Sequence, residues 1–177
     1  ADAFAGTVTQ QSGTITITNS NYTVAELKTI NNATTGAIVL NTASTNLSGS
    51  SADVAAALAG TITTHTGNIS LSDNHTLAEL KTINNANQGG TITLNSYAVA
   101  LSGSSADVAA ALDATFAANY TGAVSVSDNH TLAELKTINN GQFGTITLSN
   151  YAVDLSGSTA DIKAALVGTF ASTYTGN

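Results

Sequence analysis

The residues able to do chemistry in this chain recur at fixed places. Glutamates stand at Glu26, Glu79 and Glu134, and aspartates at Asp53, Asp107 and Asp161. Paired carboxylates suggest general acid and base work, which needs surroundings that drive two pKa values apart. Recurrence once per copy gives each set nearly the same surroundings instead. Thr23, Thr76 and Thr131 stand three residues before the glutamates, the spacing of a capping box in which hydroxyl and carboxylate satisfy free amides at a helix start. Ser50, Ser104 and Ser158 stand three before the aspartates in a weaker variant of the same arrangement. These acids are read as caps, no catalytic residue is assigned, and the chain is read as not an enzyme.

The turns Asp73-Asn74-His75 and Asp128-Asn129-His130 are the most metal-like feature. Calcium needs six to eight oxygens, and one carboxylate per copy is evident here. No metal ligand and no cofactor is assigned, with calcium kept as the one ion such turns could hold. His65, aligned with Gln11 and Asn119, reads as isolated and solvent-exposed. Leu-Ser-Gly-Ser before a helix superficially suggests phosphate binding, but it lacks the lysine of the full motif and occurs three times. Serines abound without the Gly-x-Ser-x-Gly elbow of a hydrolase nucleophile.

The elements that carry these residues repeat. Thr76-Leu77-Ala78-Glu79-Leu80-Lys81-Thr82-Ile83-Asn84-Asn85 recurs at Thr131–Asn140 and, with Val24 for Leu, at Thr23–Asn32. A decapeptide copied at such a period marks a tandem array of one supersecondary unit. The units are read as residues 13–66, 67–121 and 122–177, with residues 1–12 as the tail of a preceding one. Both ends match positions inside the unit, so the chain is expected to be a slice of a longer pattern.

Each unit opens on an alternating strand, with Ile15 and Ile17, Ile69 and Leu71, or Val124 and Val126 facing inward. After the turn comes a helix with Leu77, Leu80 and Ile83 as its buried stripe, ended by the Asn pair in the left-handed conformation that asparagine tolerates. A second strand follows at Ala37–Leu40, Thr91–Leu94 and Thr145–Leu148. The alternation then changes phase, which predicts a bend at Asn95-Ser96 and a third strand through Tyr97, Val99 and Leu101. The first copy weakens this strand by carrying Ala43 and Thr45. The last helix buries Val54, Leu58 and Ile62 and their equivalents Val108, Leu112, Phe116 and Ile162, Leu166, Phe170.

Stacked copies bury what a single unit leaves open. The connections suit crossovers, which favours parallel pairing and right-handed coiling. The fold class is therefore read as α/β: a repeat solenoid of short parallel strands and short helices, about three repeats of roughly 54 residues with two layers per repeat. An α+β repeat with antiparallel sheets is the alternative. Outward rows such as Thr91 with Thr93 and Thr145 with Thr147 resemble the hydroxyl arrays of ice-binding solenoids, though Ala37 and Val39 interrupt them.

Only 8% of residues are charged, against about 25% in ordinary domains. The four basic residues are lysines, and the net charge is −7. Nucleic acid and anionic membrane surfaces are therefore not expected as partners, because both require a basic face. No apolar run approaches the length of a membrane span. Without cysteine there is neither a disulfide framework nor a thiolate metal site.

The pattern Leu-Ser-Gly-Ser-Ser-Ala-Asp-Val-Ala-Ala-Ala-Leu, alternating with the Thr-Leu-Ala-Glu decapeptide, resembles the repeats of very large secreted bacterial proteins, among them cyanobacterial cell-surface proteins and adhesins. The resemblance covers nearly the whole chain and implies an extracellular structural role. The expected function is a segment of a cell-surface filament, surface layer or adhesin stalk. Its expected partner is itself, as a head-to-tail homopolymer or as adjacent repeats of a longer chain. A glycan- or surface-binding module of an adhesin is the alternative.

Overall fold

A computed structural model of the chain describes residues 10–62 and 64–177. The expected unit tail over residues 1–12 lies for the most part outside them. The first copy contains β1 (Ile15–Ile17), α1 (Val24–Ala33), β2 (Ile38–Leu40), β3 (Leu47–Gly49) and α2 (Ser51–Leu58). The second contains β4 (Ile69–Leu71), α3 (Leu77–Ala86), β5 (Ile92–Thr93), β6 (Leu101–Gly103) and α4 (Ser105–Leu112). The third contains β7 (Val124–Val126), α5 (Leu132–Gly141), β8 (Thr145–Leu148), α6 (Thr159–Leu166) and β9 (Thr169–Phe170).

The molecule is α/β, with parallel sheets, six helices among the described residues and no closed barrel. The sheets run β1-β2, β3-β4-β5 and β6-β7-β8-β9, and every pairing within them is parallel. The antiparallel alternative is thus not the arrangement adopted. Ladder partners lie one crossover apart: Leu47 faces Ile69, Ile69 faces Ile92, Leu101 faces Val124, Val124 faces Ile146 and Ile146 faces Phe170. One sequence copy therefore spans two layers of chain. Apolar residues stack on apolar ones along each ladder, because a parallel register places equivalent positions of successive layers side by side. The helices follow in the same order, each packed on the next from α1 to α6.

Short helices form here because their starts are closed by side chains. Thr23, Thr76 and Thr131 cap α1, α3 and α5 in full capping boxes with Glu26, Glu79 and Glu134. The amides of Thr23 and Thr76 each meet the glutamate oxygen at 2.8 Å. Ser50, Ser104 and Ser158 accept from the amides of Asp53, Asp107 and Asp161 at the starts of α2, α4 and α6. The inner face is continuous: Leu27, Leu80, Ile83, Leu135 and Ile138 of the odd helices meet Ile38, Ile69, Ile92, Val124 and Ile146 of the sheets, all fully or nearly fully buried.

Four sequence expectations are corrected. The Asn pairs do not end their helices: α1, α3 and α5 continue one residue further, their caps are extended, and no described residue has positive φ. The third strand begins at Leu101, not Tyr97, because the Tyr97 hydroxyl turns back to accept the Leu94 amide at 3.2 Å while Leu101 pairs with Val124. The first copy keeps this strand as β3. The third copy is where it is missing, with one bond from the Leu155 amide to the Asn177 carbonyl. Finally, Ile62, Phe116 and Phe170 are ladder residues beyond the helix ends, paired with Ile38, Ile92 and Ile146.

Backbones of neighbouring layers meet closely at Gly67 and Gly122, the glycines that open the second and third units. A Cβ on Gly122 would lie 1.9 Å from the Val99 carbonyl oxygen, and one on Gly67 would lie 2.2 Å from that of Thr45. A Cβ on Gly89 would meet nothing within 4 Å. Gly122→Ala is therefore expected to lose about 1–3 kcal/mol or more of unfolding free energy, and Gly89→Ala to stay within about 0.5 kcal/mol of the natural chain. Urea unfolding of the two variants measures this.

Candidate functional site

The polar side chains singled out by type and spacing converge on the joints between successive layers. At the start of α2 the Ser51 amide, one of the donors a helix leaves open, is taken by the Asp73 Oδ1 of the next layer at 2.7 Å. The Ser51 hydroxyl meets Glu79 Oε2 at 3.1 Å. The same pair of contacts recurs from Ser105 to Asp128 at 2.7 Å and to Glu134 at 3.1 Å. Each glutamate thus caps its own helix and receives the neighbouring one. Burial raises the pKa of Glu134, but hydrogen bonds from Thr131 and Ser105 outweigh it and leave the carboxyl below its usual range.

The aspartates at the second caps have partners that spacing did not suggest. Lys28 reaches Asp53, Lys81 reaches Asp107, and Lys136 reaches Asp161, joining each odd helix to the even helix after it. The lysine first and the capping serine second hold all three carboxyls below the usual carboxylate range. These side chains are 40% to 50% exposed, so solvent screens the pairs and their weight in stability is small.

The first Asn of each pair is a joint residue. Asn31 Nδ2 donates to the Ala56 carbonyl at 2.8 Å, Asn84 to the Ala110 and Asp113 carbonyls at 2.7 Å each, and Asn139 to the Ala164 carbonyl at 2.6 Å. These acceptors lie in the last turn of the next helix or just after it, where carbonyls lack partners within the helix. Asn84 and Asn139 are buried, whereas Asn85 and Asn140 are exposed.

His65 is buried, which overturns its reading as an exposed residue: Nε2 lies 2.9 Å from the Thr45 carbonyl and Nδ1 3.4 Å from Asn87 Oδ1. His75 and His130 are buried too, with Nε2 at 3.1 Å from the Tyr120 hydroxyl and 3.0 Å from that of Tyr174. Burial lowers the pKa of both imidazoles, against the smaller opposing pull of Glu79 and Asp73 on His75 and of Glu134 and Asp128 on His130. No three His, Cys, Asp or Glu among the described residues stand close enough to share a metal ion.

Two kinds of surface repeat. Exposed hydroxyls line the sheet as Ser48, Ser70 and Thr93, then Ser102, Ser125 and Thr147, each in register with the next. Val39 beside Thr16 interrupts the row in the first copy, as expected. Open grooves of about 500 and 540 Å³ lie at equivalent places, one lined by Val24, Lys28, Ser48 and Asp53, the other by Leu77, Lys81, Ser102 and Asp107. A third groove of about 420 Å³, lined by Asn84, Asn87, Gln88 and Asp113, has amide-rich walls.

The joint contacts missed by sequence reasoning left one signal. Lys28, Lys81 and Lys136 precede Asp53, Asp107 and Asp161 by a near-constant interval, which is one layer of chain. Comparison with protein-family models, with curated protein sequences and with solved structures gives no match. No helix among the described residues is long and apolar enough to cross a membrane.

Asn84→Ala leaves two carbonyls without their donor, and its expected cost is about 1–3 kcal/mol. Asn85→Ala, on the exposed side of the same helix, is expected to stay within about 0.5 kcal/mol. Thermal and urea unfolding of both variants distinguish a joint residue from a helix terminator.

Proposed function

We propose that this chain is a structural segment of an extracellular protein, a solenoid of three repeats that assembles head to tail into a filament, surface layer or adhesin stalk. One observation carries the reading: its recurrent acids, lysines, asparagines and histidines are committed to contacts between layers. Ladder partners one crossover apart and helices packed in chain order support the solenoid. The extracellular placement rests on the low charge and the resemblance to secreted surface repeats.

Two ends of the helix row support head-to-tail growth. Val54, Leu58, Val108 and Leu112 are buried at their joints, while their equivalents Ile162 and Leu166 are half-exposed. Thr159, at the place of Ser51 and Ser105, is exposed. At the other end Glu26 accepts, among the described residues, from Thr23, whereas Glu79 and Glu134 also accept a serine hydroxyl from the layer before. The α6 face and Glu26 are thus two halves of a contact made twice inside the chain. Repetition of one such contact, between molecules or with adjacent repeats of a longer chain, is heterologous and open-ended. The exposed hydroxyl rows favour a second reading, a glycan- or surface-binding module.

Light scattering across a concentration series, with imaging of the same samples, tests assembly. The natural chain is expected to grow in mass with concentration, and Ile162→Glu with Leu166→Glu to remain at the mass of one chain. A natural chain that stays monomeric at every concentration contradicts head-to-tail assembly.

A further inference from the structure

His75 meets Tyr120 and His130 meets Tyr174 at equivalent joints, and the first repeat carries the two residue types in exchanged positions, as Tyr22 and His65. His65 occupies the position of Tyr120, since the Gln88 amide donates to the His65 carbonyl at 2.8 Å as the Phe143 amide donates to that of Tyr120 at 2.7 Å. Tyr22 occupies the position of His75 and His130, directly before the capping threonine.

Hydrogen-bond accounting sets the tautomers. The Tyr120 hydroxyl lies 2.6 Å from the Val99 carbonyl and 3.1 Å from His75 Nε2. A carbonyl only accepts, so the single hydroxyl proton goes to Val99, and the tyrosine oxygen accepts from Nε2–H of His75. Nδ1 is then the unprotonated nitrogen, and it is buried without a hydrogen-bond partner. His130 is arranged identically: the Tyr174 hydroxyl donates to the Val153 carbonyl at 2.6 Å, and His130 Nδ1 is buried and unpartnered. In the first repeat His65 Nε2 reaches the Thr45 carbonyl directly, and Nδ1 faces the Asn87 side-chain oxygen.

We propose that the His75–Tyr120 and His130–Tyr174 joints are acid-operated: a second proton enters each imidazole at Nδ1 only as the joint opens, so mild acid loosens the second and third repeats and spares the first. An imidazolium at Nδ1 in the closed joint would be a buried donor with no acceptor, which is costly. The groups facing each ring are its tyrosine and two acids, Glu79 and Asp73 around His75, Glu134 and Asp128 around His130. The acids favour the charged ring, and burial outweighs them. An opened joint exposes a histidine of ordinary pKa, about 6.5. Stability from the closed joint is therefore complete above that pH and is lost as pH falls toward the depressed value of the closed state.

Native-state hydrogen exchange of the full chain between pH 7 and pH 5 reads the three joints separately, after correction for intrinsic exchange. The reporters are amides held across each joint: Thr66 and Gly67 on the Ala43 carbonyl, Thr121 and Gly122 on that of Tyr97, and Thr175 and Gly176 on that of Tyr151. Opening of the last two pairs is expected to rise by up to about tenfold per pH unit below 6.5, with Thr66 and Gly67 unchanged. His75→Gln keeps a donor toward Tyr120 without a titrating ring, and it should abolish the rise at Thr121 and Gly122 alone. Parallel change at all three pairs, or the same rise in H75Q as in the natural chain, overturns the proposal. So does an imidazole of His75 or His130 that titrates by NMR near 6.5 while its reporters stay protected. These comparisons within the natural chain hold even where a variant fails to fold.

Discussion

A helix of eight or ten residues leaves nearly as many backbone groups without partners as it joins, four amides at one end and four carbonyls at the other. This chain contains a row of such helices and strands of two to four residues. None of these elements is stable alone. The constraint on the whole structure is that each layer must complete the ends of its neighbour. Asp73 and Asp128 close the starts of α2 and α4, Asn31, Asn84 and Asn139 close the ends of α2, α4 and α6, and parallel ladders close the strand edges. Apolar stacking of leucine, isoleucine and valine supplies the driving force, and the polar joints fix the register in which it acts.

That division of labour explains the composition. With 8% charged residues, few side chains are available for long-range attraction, and those that recur from copy to copy act at short range. Each lysine of an odd helix meets one aspartate, Glu79 and Glu134 each receive one neighbouring serine, and His75 and His130 each meet one tyrosine oxygen while His65 faces two oxygens. Thr and Ser on the outward sheet face keep the surface wet without charge. Repetition then makes a small set of contacts serve several joints.

Local features were legible in the sequence because their partners lie three or four residues away. The capping threonines and serines, the alternating first strands and the stripe through Leu80 and Ile83 are of this kind. Contacts across a layer were not legible. The reading of Asn84 as a left-handed terminator rested on asparagine's turn preference, but its side chain serves the end of α4 and its backbone remains helical. His65 was misplaced because alignment by residue number set it against Asn119, whereas the carbonyl contacts set it against Tyr120. Asp73 was read as a turn residue with metal-like neighbours, and its second duty as cap of the preceding helix depends on a register that no local spacing displays. The Lys28 and Asp53 pairing did leave a periodic trace, one layer long, in the positions of their copies.

The most direct test of this account is the exchange rate of the Ser51 and Ser105 amide protons. Each belongs to the first residue of a helix, where an amide has no partner within the helix and exchanges freely unless something outside holds it. If the next layer completes the helix start, both amides are protected to the level of the ladder amides nearby, and Asp73→Ala releases Ser51 while leaving Ser105 protected. Free exchange of Ser51 and Ser105 in the natural chain, with the ladders still protected, would contradict the claim that α2 and α4 have their starts closed by the layer that follows.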